Sequence, residues 1–134
     1  MRVMVDTNVL FSALLFPSAR MSAVMTCILQ RHELVLSSFV VEELKAVVRR
    51  KFPARMDTVE RLLTAMSFDF VYTPQQMQPD LFVLRDPNDY PVLYTAMVED
   101  VDILVTGDKD FADVPVDRPE IMTPADFLAK YAAL

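Results

Sequence analysis

Residues 4–13 read "MVDTNVLFSA", an apolar run interrupted by three consecutive polar residues, Asp6, Thr7 and Asn8. The residues before them, 2–5, have the apolar pattern of a first β-strand. A buried strand end that carries a carboxylate, a hydroxyl and an amide is costly unless these groups find partners or bind a ligand. The end of this strand is therefore a candidate site, and the fold decides which other residues reach it.

Helical and extended patterns alternate along the rest of the chain. We predict helices at residues 18–30, 39–51, 54–67, 90–99 and 124–131, and strands at 2–5, 34–36, 70–72 and 103–106, with a last short strand before the final helix. Because helix-length segments separate the strands, the pattern favours parallel strands joined by helical crossovers. The expected fold class is α/β.

Length and composition suit one domain over residues 1–134, since 53% of the 134 residues are hydrophobic and can form one core. The pattern contains no apolar run long enough for a membrane span and too few residues before Asp6 for a signal peptide. We therefore expect a cytoplasmic protein that does not associate with a membrane. The one cysteine, Cys27, lies in an amphipathic pattern and is expected to be a buried thiol.

The rare residues exclude several classes of site. The one glycine, Gly107, leaves no room for a glycine-rich dinucleotide or phosphate loop. One histidine, His32, and one cysteine exclude a zinc site built from those ligands. The side chains left for chemistry are carboxylates.

Four carboxylates are placed where a parallel sheet binds its ligands. Asp6 and Asp108 directly follow predicted strands, Glu43 lies in the first turns of the helix at 39–51, and Asp89 opens the helix at 90–99. The carboxyl ends of strands and the amino ends of the following helices meet at one edge, so these four acids should be neighbours. Glu42 instead lies opposite the apolar face of its helix, which favours Glu43.

Each acid also has a purely structural interpretation. Asp6 suits an Asx turn, Asp89 suits a helix N-cap, and Glu43 suits an ion pair on the flank of its helix. Asp108 and Asp110 both follow the same strand, and either of them suits a strand end. Together the acids are harder to explain in this way, because clustered carboxylates repel one another and raise each other's pKa.

An oxygen-rich cluster without histidine or cysteine favours a hard divalent cation, Mg²⁺ or Mn²⁺, as one or two ions. Such ions activate water and neutralise the charge that develops on a phosphodiester. The carboxylate pattern therefore indicates hydrolysis.

Charge is divided unevenly along the chain, whose net charge is −6. Residues 1–68 hold nine Lys and Arg against six Asp and Glu, whereas residues 69–134 hold four against thirteen. The basic residues Arg49, Arg50 and Lys51 lie close together in the first half. They suit either a surface for an anionic ligand or a solvated helix face.

Four blocks of the sequence resemble the PIN domain family in order and spacing: "VDTNVL", "SSFVVEELKAVV", "RDPNDYPVLYTA" and "DILVTGDKDF". The chain is similar in particular to the PIN toxins of bacterial toxin–antitoxin pairs, small metal-dependent ribonucleases of the VapC type. The resemblance implies a three-layer α/β/α fold around a mainly parallel sheet. It also implies an RNA substrate, a homodimer and a cognate antitoxin that blocks the acidic groove.

Transferred position by position, the resemblance implies metal-binding and catalytic roles for Asp6, Glu43, Asp89 and Asp108, with Asp110 sharing or replacing the role of Asp108. Thr7, Asn8 and Thr106 would orient Asp6 or contact metal-bound water. Arg49, Arg50 and Lys51 are candidates for contacts with the RNA backbone. The methionines at 21, 25, 56 and 66 suit core packing, or a face for the dimer or the antitoxin.

Two other functions remain open at this point. The domain could be a non-catalytic PIN-like module that binds RNA or a partner. The blocks "VDTN" and "TGDKD" also resemble haloacid-dehalogenase-type phosphatases, but that family expects a second aspartate two residues after the first, where this chain has Asn8.

Overall fold

The computed structural model describes residues 1–111 and 114–132. The predicted domain, 1–134, extends over residues 112, 113, 133 and 134, which lie outside the described part. In chain order the elements are β1 (Arg2–Val5), α1 (Thr7–Leu15), α2 (Ala19–Arg31), β2 (Glu33–Ser37), α3 (Ser38–Lys51), α4 (Met56–Ala65), β3 (Asp69–Val71), α5 (Tyr90–Val98), β4 (Ile103–Val105), β5 (Glu120–Met122) and α6 (Pro124–Phe127).

The strands form one parallel sheet in the order β3-β2-β1-β4-β5. At its centre Val3 pairs with Leu34 on one side and with Ile103 on the other. Residues 3–5, 34–36 and 103–105 of the three central strands are apolar and buried, as expected when helices cover both sides of a parallel sheet. The predicted three-layer α/β/α fold with a parallel sheet is therefore confirmed.

Most predicted elements are present with small changes of boundary. The predicted helix 54–67 is divided into a 3₁₀ turn, Pro53–Arg55, and α4. The predicted last helix is divided into α6 and a π-helical segment, Leu128–Ala132. Cys27 and Met25 are buried, and the other three methionines considered for core packing lie partly buried against the core.

Helix α1 is the element that the sequence pattern did not predict. Its residues are apolar on nearly every side, and Val9, Leu10 and Leu15 are buried, so no amphipathic period marks it. Asp6 is the N-cap of the helix, and its carboxylate accepts a hydrogen bond from the backbone N–H of Val9. An aspartate before an apolar run is a recognised N-cap signal, and it was available in the sequence.

The long connection between β3 and α5 is fastened to the tyrosines of α5. The backbone N–H of Gln78 donates to the hydroxyl of Tyr94 at 3.0 Å, and that of Leu81 donates to the hydroxyl of Tyr90 at 3.3 Å. The Tyr90 ring also stacks on Phe82, with ring centroids 4.4 Å apart. These contacts fix the chain that leads into the start of α5.

Across the described ranges, no single helix has the length and apolar character needed to span a membrane. Helices α1 and α2 pass that test of length and composition only as a pair, bent by 107°.

Candidate active site

The order in which strands are added to the sheet reverses between β1 and β4. Strands β2 and β3 extend the sheet on one side of β1, and β4 and β5 extend it on the other side. Ligands of open parallel sheets bind outside the carboxyl ends of the strands at such a switch point. Asp6 follows β1 there, and Thr106, Gly107 and Asp108 follow β4. The topology thus places two of the four candidate acids side by side.

Asp6 is the most enclosed of the acids, with 6% of its surface exposed. Its backbone N–H donates to the carbonyl of Val105 at 3.2 Å, and its Oδ1 accepts from Val9 N–H at 2.9 Å. Its Oδ2 accepts from the hydroxyl of Thr106. Burial raises the pKa of Asp6 most, these two side-chain hydrogen bonds oppose the rise, and the charges of Asp108 and Glu43 add to it.

Asp108 is held by the turn that follows β4. Its backbone N–H donates to Oγ1 of Thr106 at 3.1 Å, and its Oδ1 accepts from the backbone N–H of Asp110 at 2.9 Å. The carboxylate of Asp110 lies 3.7 Å from Nε of Arg85. Arg85 was not among the predicted residues, and no sequence pattern connects it with Asp110. The charge of Asp108 raises the pKa of both Asp6 and Asp89, so its carboxylate lies near both of them.

Asp89 precedes α5 but does not cap it, since its side chain makes no capping hydrogen bond and its backbone is helical. Asp86 instead caps the preceding 3₁₀ turn, accepting from Asn88 N–H at 3.0 Å. The pKa of Asp89 is raised to about 7. Burial is the largest cause, the nearby carboxyl of Asp108 is the next, and the charges of Asp86 and Asp6 add to the rise. Two ionised carboxylates cannot hydrogen-bond to each other, so the nearby Asp108 favours the protonated form of Asp89.

Glu43 and Glu42 differ as the helical pattern predicted. Glu43 is half-buried on α3, and its charge raises the pKa of Asp6, whereas Glu42 is exposed. The four acids therefore face the same edge of the sheet: Asp6 after β1, Glu43 on α3, Asp89 just before α5 and Asp108 after β4.

Two buried side-chain oxygens at this edge accept or donate no hydrogen bond among the described residues: Oγ1 of Thr7 and Oδ2 of Asp89. Buried polar atoms are nearly always paired, so orphaned ones in a group of acids point to a bound water or ion. Thr7 and Asn8 do not donate to Asp6 in the described chain, where the donors are Val9 and Thr106. Asn8 is exposed and lines a cleft of about 320 Å³ with Gly107 and Asp108.

The acids at the two edges of the sheet differ in their ion pairs. At the amino edge, Arg2 pairs with Asp69, Arg118 with Asp100 and Asp102, and Lys130 with Glu120. At the carboxyl edge, the described residues provide one ion pair, between Arg85 and Asp110, and none to Asp6, Glu43, Asp89 or Asp108. The four candidate acids of the carboxyl edge therefore have no counter-ion among the described residues.

The donor set fits a hard divalent ion, because it consists of carboxylate and hydroxyl oxygens, one of them an orphaned carboxylate oxygen. Within residues 1–111 and 114–132, however, no three acidic, histidine or cysteine side chains are close enough together to enclose a metal ion. The acids thus face one edge of the sheet without forming a closed ligand cage.

The basic residues Arg49, Arg50 and Lys51 are exposed in the last turn of α3. Since α3 begins at the acidic edge and rises 1.5 Å per residue, they lie roughly 10 Å beyond Glu43 along the helix axis. They are therefore separate from the four acids.

Comparisons with known proteins agree with this geometry. A family model described as "PIN domain" matches residues 2–110. No curated protein sequence matches the chain. The fold is similar to a solved structure titled "Crystal structure of VapBC2 from Rickettsia felis bound to a DNA fragment from their promoter", with a TM-score of 0.69, 19% identity, and coverage of 91% of this chain and 97% of that chain.

Proposed function

Because the chain belongs to the PIN domain family, we propose that it is a metal-dependent ribonuclease that hydrolyses RNA phosphodiester bonds at the acidic edge of its sheet. One observation carries the proposal. The structure brings four acids, Asp6, Glu43, Asp89 and Asp108, to the switch point. No described cation pairs with any of them, and a buried oxygen of Asp89 has no hydrogen-bond partner among the described residues.

Asp6, Glu43, Asp89 and Asp108 would hold one or two Mg²⁺ or Mn²⁺ ions. A divalent ion bound there supplies an activated water and neutralises charge that develops on the phosphodiester. Asp6 is oriented by Val9 and Thr106, so its carboxylate is fixed before the ion arrives. Asp89, whose pKa is raised to about 7, would release its proton to solvent when it holds the ion, since carboxylate ligands are deprotonated.

A non-catalytic module that binds RNA or a partner is the second candidate. It is favoured by the finding that no three described acids are close enough to enclose a metal ion. Carboxylates that surround an ion must lie closer together than the described acids do. A protein that uses the groove only for docking would not require that rearrangement.

The deciding experiment incubates the purified protein with single-stranded RNA in Mg²⁺ or Mn²⁺ and, in parallel, with a chelator. We expect cleavage products with either metal and none with the chelator. RNA that stays intact in both metals would favour the binding module. Hydrolysis of p-nitrophenyl phosphate with intact RNA would instead indicate a phosphatase of the haloacid-dehalogenase type.

We further propose that the protein acts as the toxin of a toxin–antitoxin pair in the cytoplasm, without a membrane, and that it forms a homodimer. Support comes from the sequence resemblance to VapC-type toxins and from the similarity in fold to VapBC2. An antitoxin would present basic groups to the acidic groove, since opposite charges steer such partners together. Co-purification of the full chain with the product of a small neighbouring open reading frame, and loss of cleavage in that complex, would test this role.

A further inference from the structure

A second feature of the carboxyl edge is a solvent-facing aromatic pair. Tyr72 directly follows β3, the strand at the edge of the sheet, and 74% of its surface is exposed. Phe70, two residues earlier on the same side of the chain, is 40% exposed. The two rings meet edge to face, with centroids 5.1 Å apart and planes at 78°. Phe70 thus supports the Tyr72 ring while leaving much of that ring open to solvent.

The pair borders a groove of about 550 Å³ between the end of β3 and the start of α3. Its other lining residues are Ser38, Phe39, Glu42, Thr73 and Gln75. Two hydrogen bonds hold this wall in place. Thr73 N–H donates to Oγ of Ser38 at 2.9 Å, and the hydroxyls of Thr73 and the fully buried Thr95 are hydrogen-bonded to each other at 2.9 Å. The groove is therefore a fixed feature of the packed fold.

The groove opens on the same edge of the sheet as the four acids. Strand β3 is separated from β1 by β2 alone, so the end of β3 lies about two strand spacings, roughly 10 Å, from Asp6. Glu42 lines the groove, and its neighbour Glu43 faces the acids. A chain-like ligand could therefore place a reacting group at Asp6 and, one or two of its repeating units away, a flat ring in the groove beside Tyr72.

We propose that this groove binds one unpaired nucleobase of the RNA substrate, stacked on Tyr72; this inference rests on the proposed ribonuclease function. Aromatic faces bind splayed-out bases in proteins that recognise single-stranded RNA, and neighbouring polar groups bind the base edges. The groove combines the Tyr72 ring with the amide of Gln75. Its described lining includes Glu42 and no basic side chain, so it suits the uncharged base and not a phosphate.

The chain contains no tryptophan, so one introduced at position 72 becomes a specific reporter. We would place Tyr72→Trp in an Asp6→Asn background, where RNA binds without being cut, and titrate a single-stranded RNA of about eight nucleotides. Stacking predicts saturable quenching of the tryptophan fluorescence. The matched control is Val98→Trp, at an exposed position on α5, whose fluorescence should not change. Quenching at neither position, or at both equally, would overturn the proposal.

Affinity provides an independent readout. Tyr72→Ala should weaken binding of the single-stranded RNA by about 5- to 150-fold, while Tyr72→Phe, which keeps the ring, should bind like its parent. Binding of a duplex of the same sequence should not change with either substitution, because its bases are already stacked. Equal affinity of Tyr72→Ala and its parent would overturn the proposal.

The test separates this inference from the proposed function. If the unaltered protein cleaves RNA with metal but Tyr72→Ala binds RNA normally, the groove assignment alone is wrong. If Tyr72→Ala leaves RNA affinity unchanged and lowers the mass found by sedimentation, the groove is an interface between copies of this chain. Failure of every RNA to bind or be cut would overturn both proposals.

Discussion

The hydroxyl of Thr106 donates a hydrogen bond to Oδ2 of Asp6, joining residues one hundred positions apart at the switch point of the sheet. The same oxygen of Thr106 accepts from the backbone N–H of Asp108 at 3.1 Å. One hydroxyl therefore sets the position of two candidate metal ligands. This contact makes Thr106 the clearest target among the residues that touch the acids.

Thr106→Val removes the donor while keeping the shape of the side chain. The pKa of Asp6 should rise further, because the hydrogen bond from Thr106 lowers it. Loss of such a partner typically costs about 10- to 100-fold in metal affinity, and we expect this loss for Mn²⁺ in calorimetric titration. Thr106→Ser should restore binding. The matched control is Thr64→Val, which removes a hydroxyl that donates to the Glu60 carbonyl on α4; a similar loss there would contradict this assignment.

Asp89 should make the metal-free protein less stable as the pH rises. Its pKa is raised to about 7, so the folded protein holds this proton more tightly than the unfolded chain does. The resulting stability is complete below the unfolded value near 3.8 and is lost as the pH rises to about 7.

Asp89→Asn should therefore raise the free energy of unfolding at pH 8, measured with urea in the presence of a chelator, by about 1–2 kcal/mol after allowance for solvent screening. The control Asp126→Asn, in an exposed first turn of α6, should not produce this gain. An Asp89→Asn protein that is less stable than its parent at pH 8 would argue against repulsion among the acids.

The choice between Asp108 and Asp110 is open to a direct comparison. Asp108 contributes to the raised pKa of both Asp6 and Asp89, whereas Asp110 lies 3.7 Å from Arg85. Asp108→Asn should lower the RNA cleavage rate by more than about 100-fold. Loss of a residue that only supports a metal ligand costs up to roughly that much, and loss of the ligand itself should cost more. Asp110→Asn should lower it by at most about tenfold. The reverse order of the two rates would assign the fourth ligand to Asp110.

The basic residues at the end of α3 should act on affinity and not on chemistry. Changing Arg49, Arg50 and Lys51 together to glutamine should reduce the slope of log affinity against log salt by about 2, if each contacts one phosphate of single-stranded RNA. Cleavage at saturating RNA should stay the same, because these residues lie away from the acids. Lys130→Gln, which removes a cation at the opposite edge, is the control. An unchanged slope would indicate that the three residues are a solvated helix face.

The sequence predicted the architecture because strands and helices leave periodic traces. Alternating patterns located all four strands given with boundaries, and the rule for parallel sheets brought Asp6 and Asp108 to one edge. The search for periodic patterns failed at α1, because residues 7–15 are apolar on nearly every side of the helix and show no helical period. The missed helix matters, because its first turn supplies the Val9 N–H that orients Asp6.

The finer geometry of the site was beyond the sequence for a different reason. Which hydroxyl reaches Asp6 depends on the register between β1 and β4, and the structure gives Thr106 where Thr7 and Asn8 were also candidates. The contact of Arg85 with Asp110 depends on a connection that is fixed by tertiary hydrogen bonds to Tyr90 and Tyr94. No local pattern encodes such contacts.

The central claim is that the acids around Asp6 hold metal for RNA cleavage, and Asp6→Asn tests it most directly. Asparagine can still accept from Val9 N–H, so the melting temperature should stay close to that of the parent. The measurement is the rate of RNA cleavage in Mn²⁺, beside the matched control Asp57→Asn at an exposed position on α4. We predict that Asp6→Asn abolishes cleavage and that Asp57→Asn cleaves like the parent; a folded Asp6→Asn protein that cleaves RNA as fast as the parent would contradict the account.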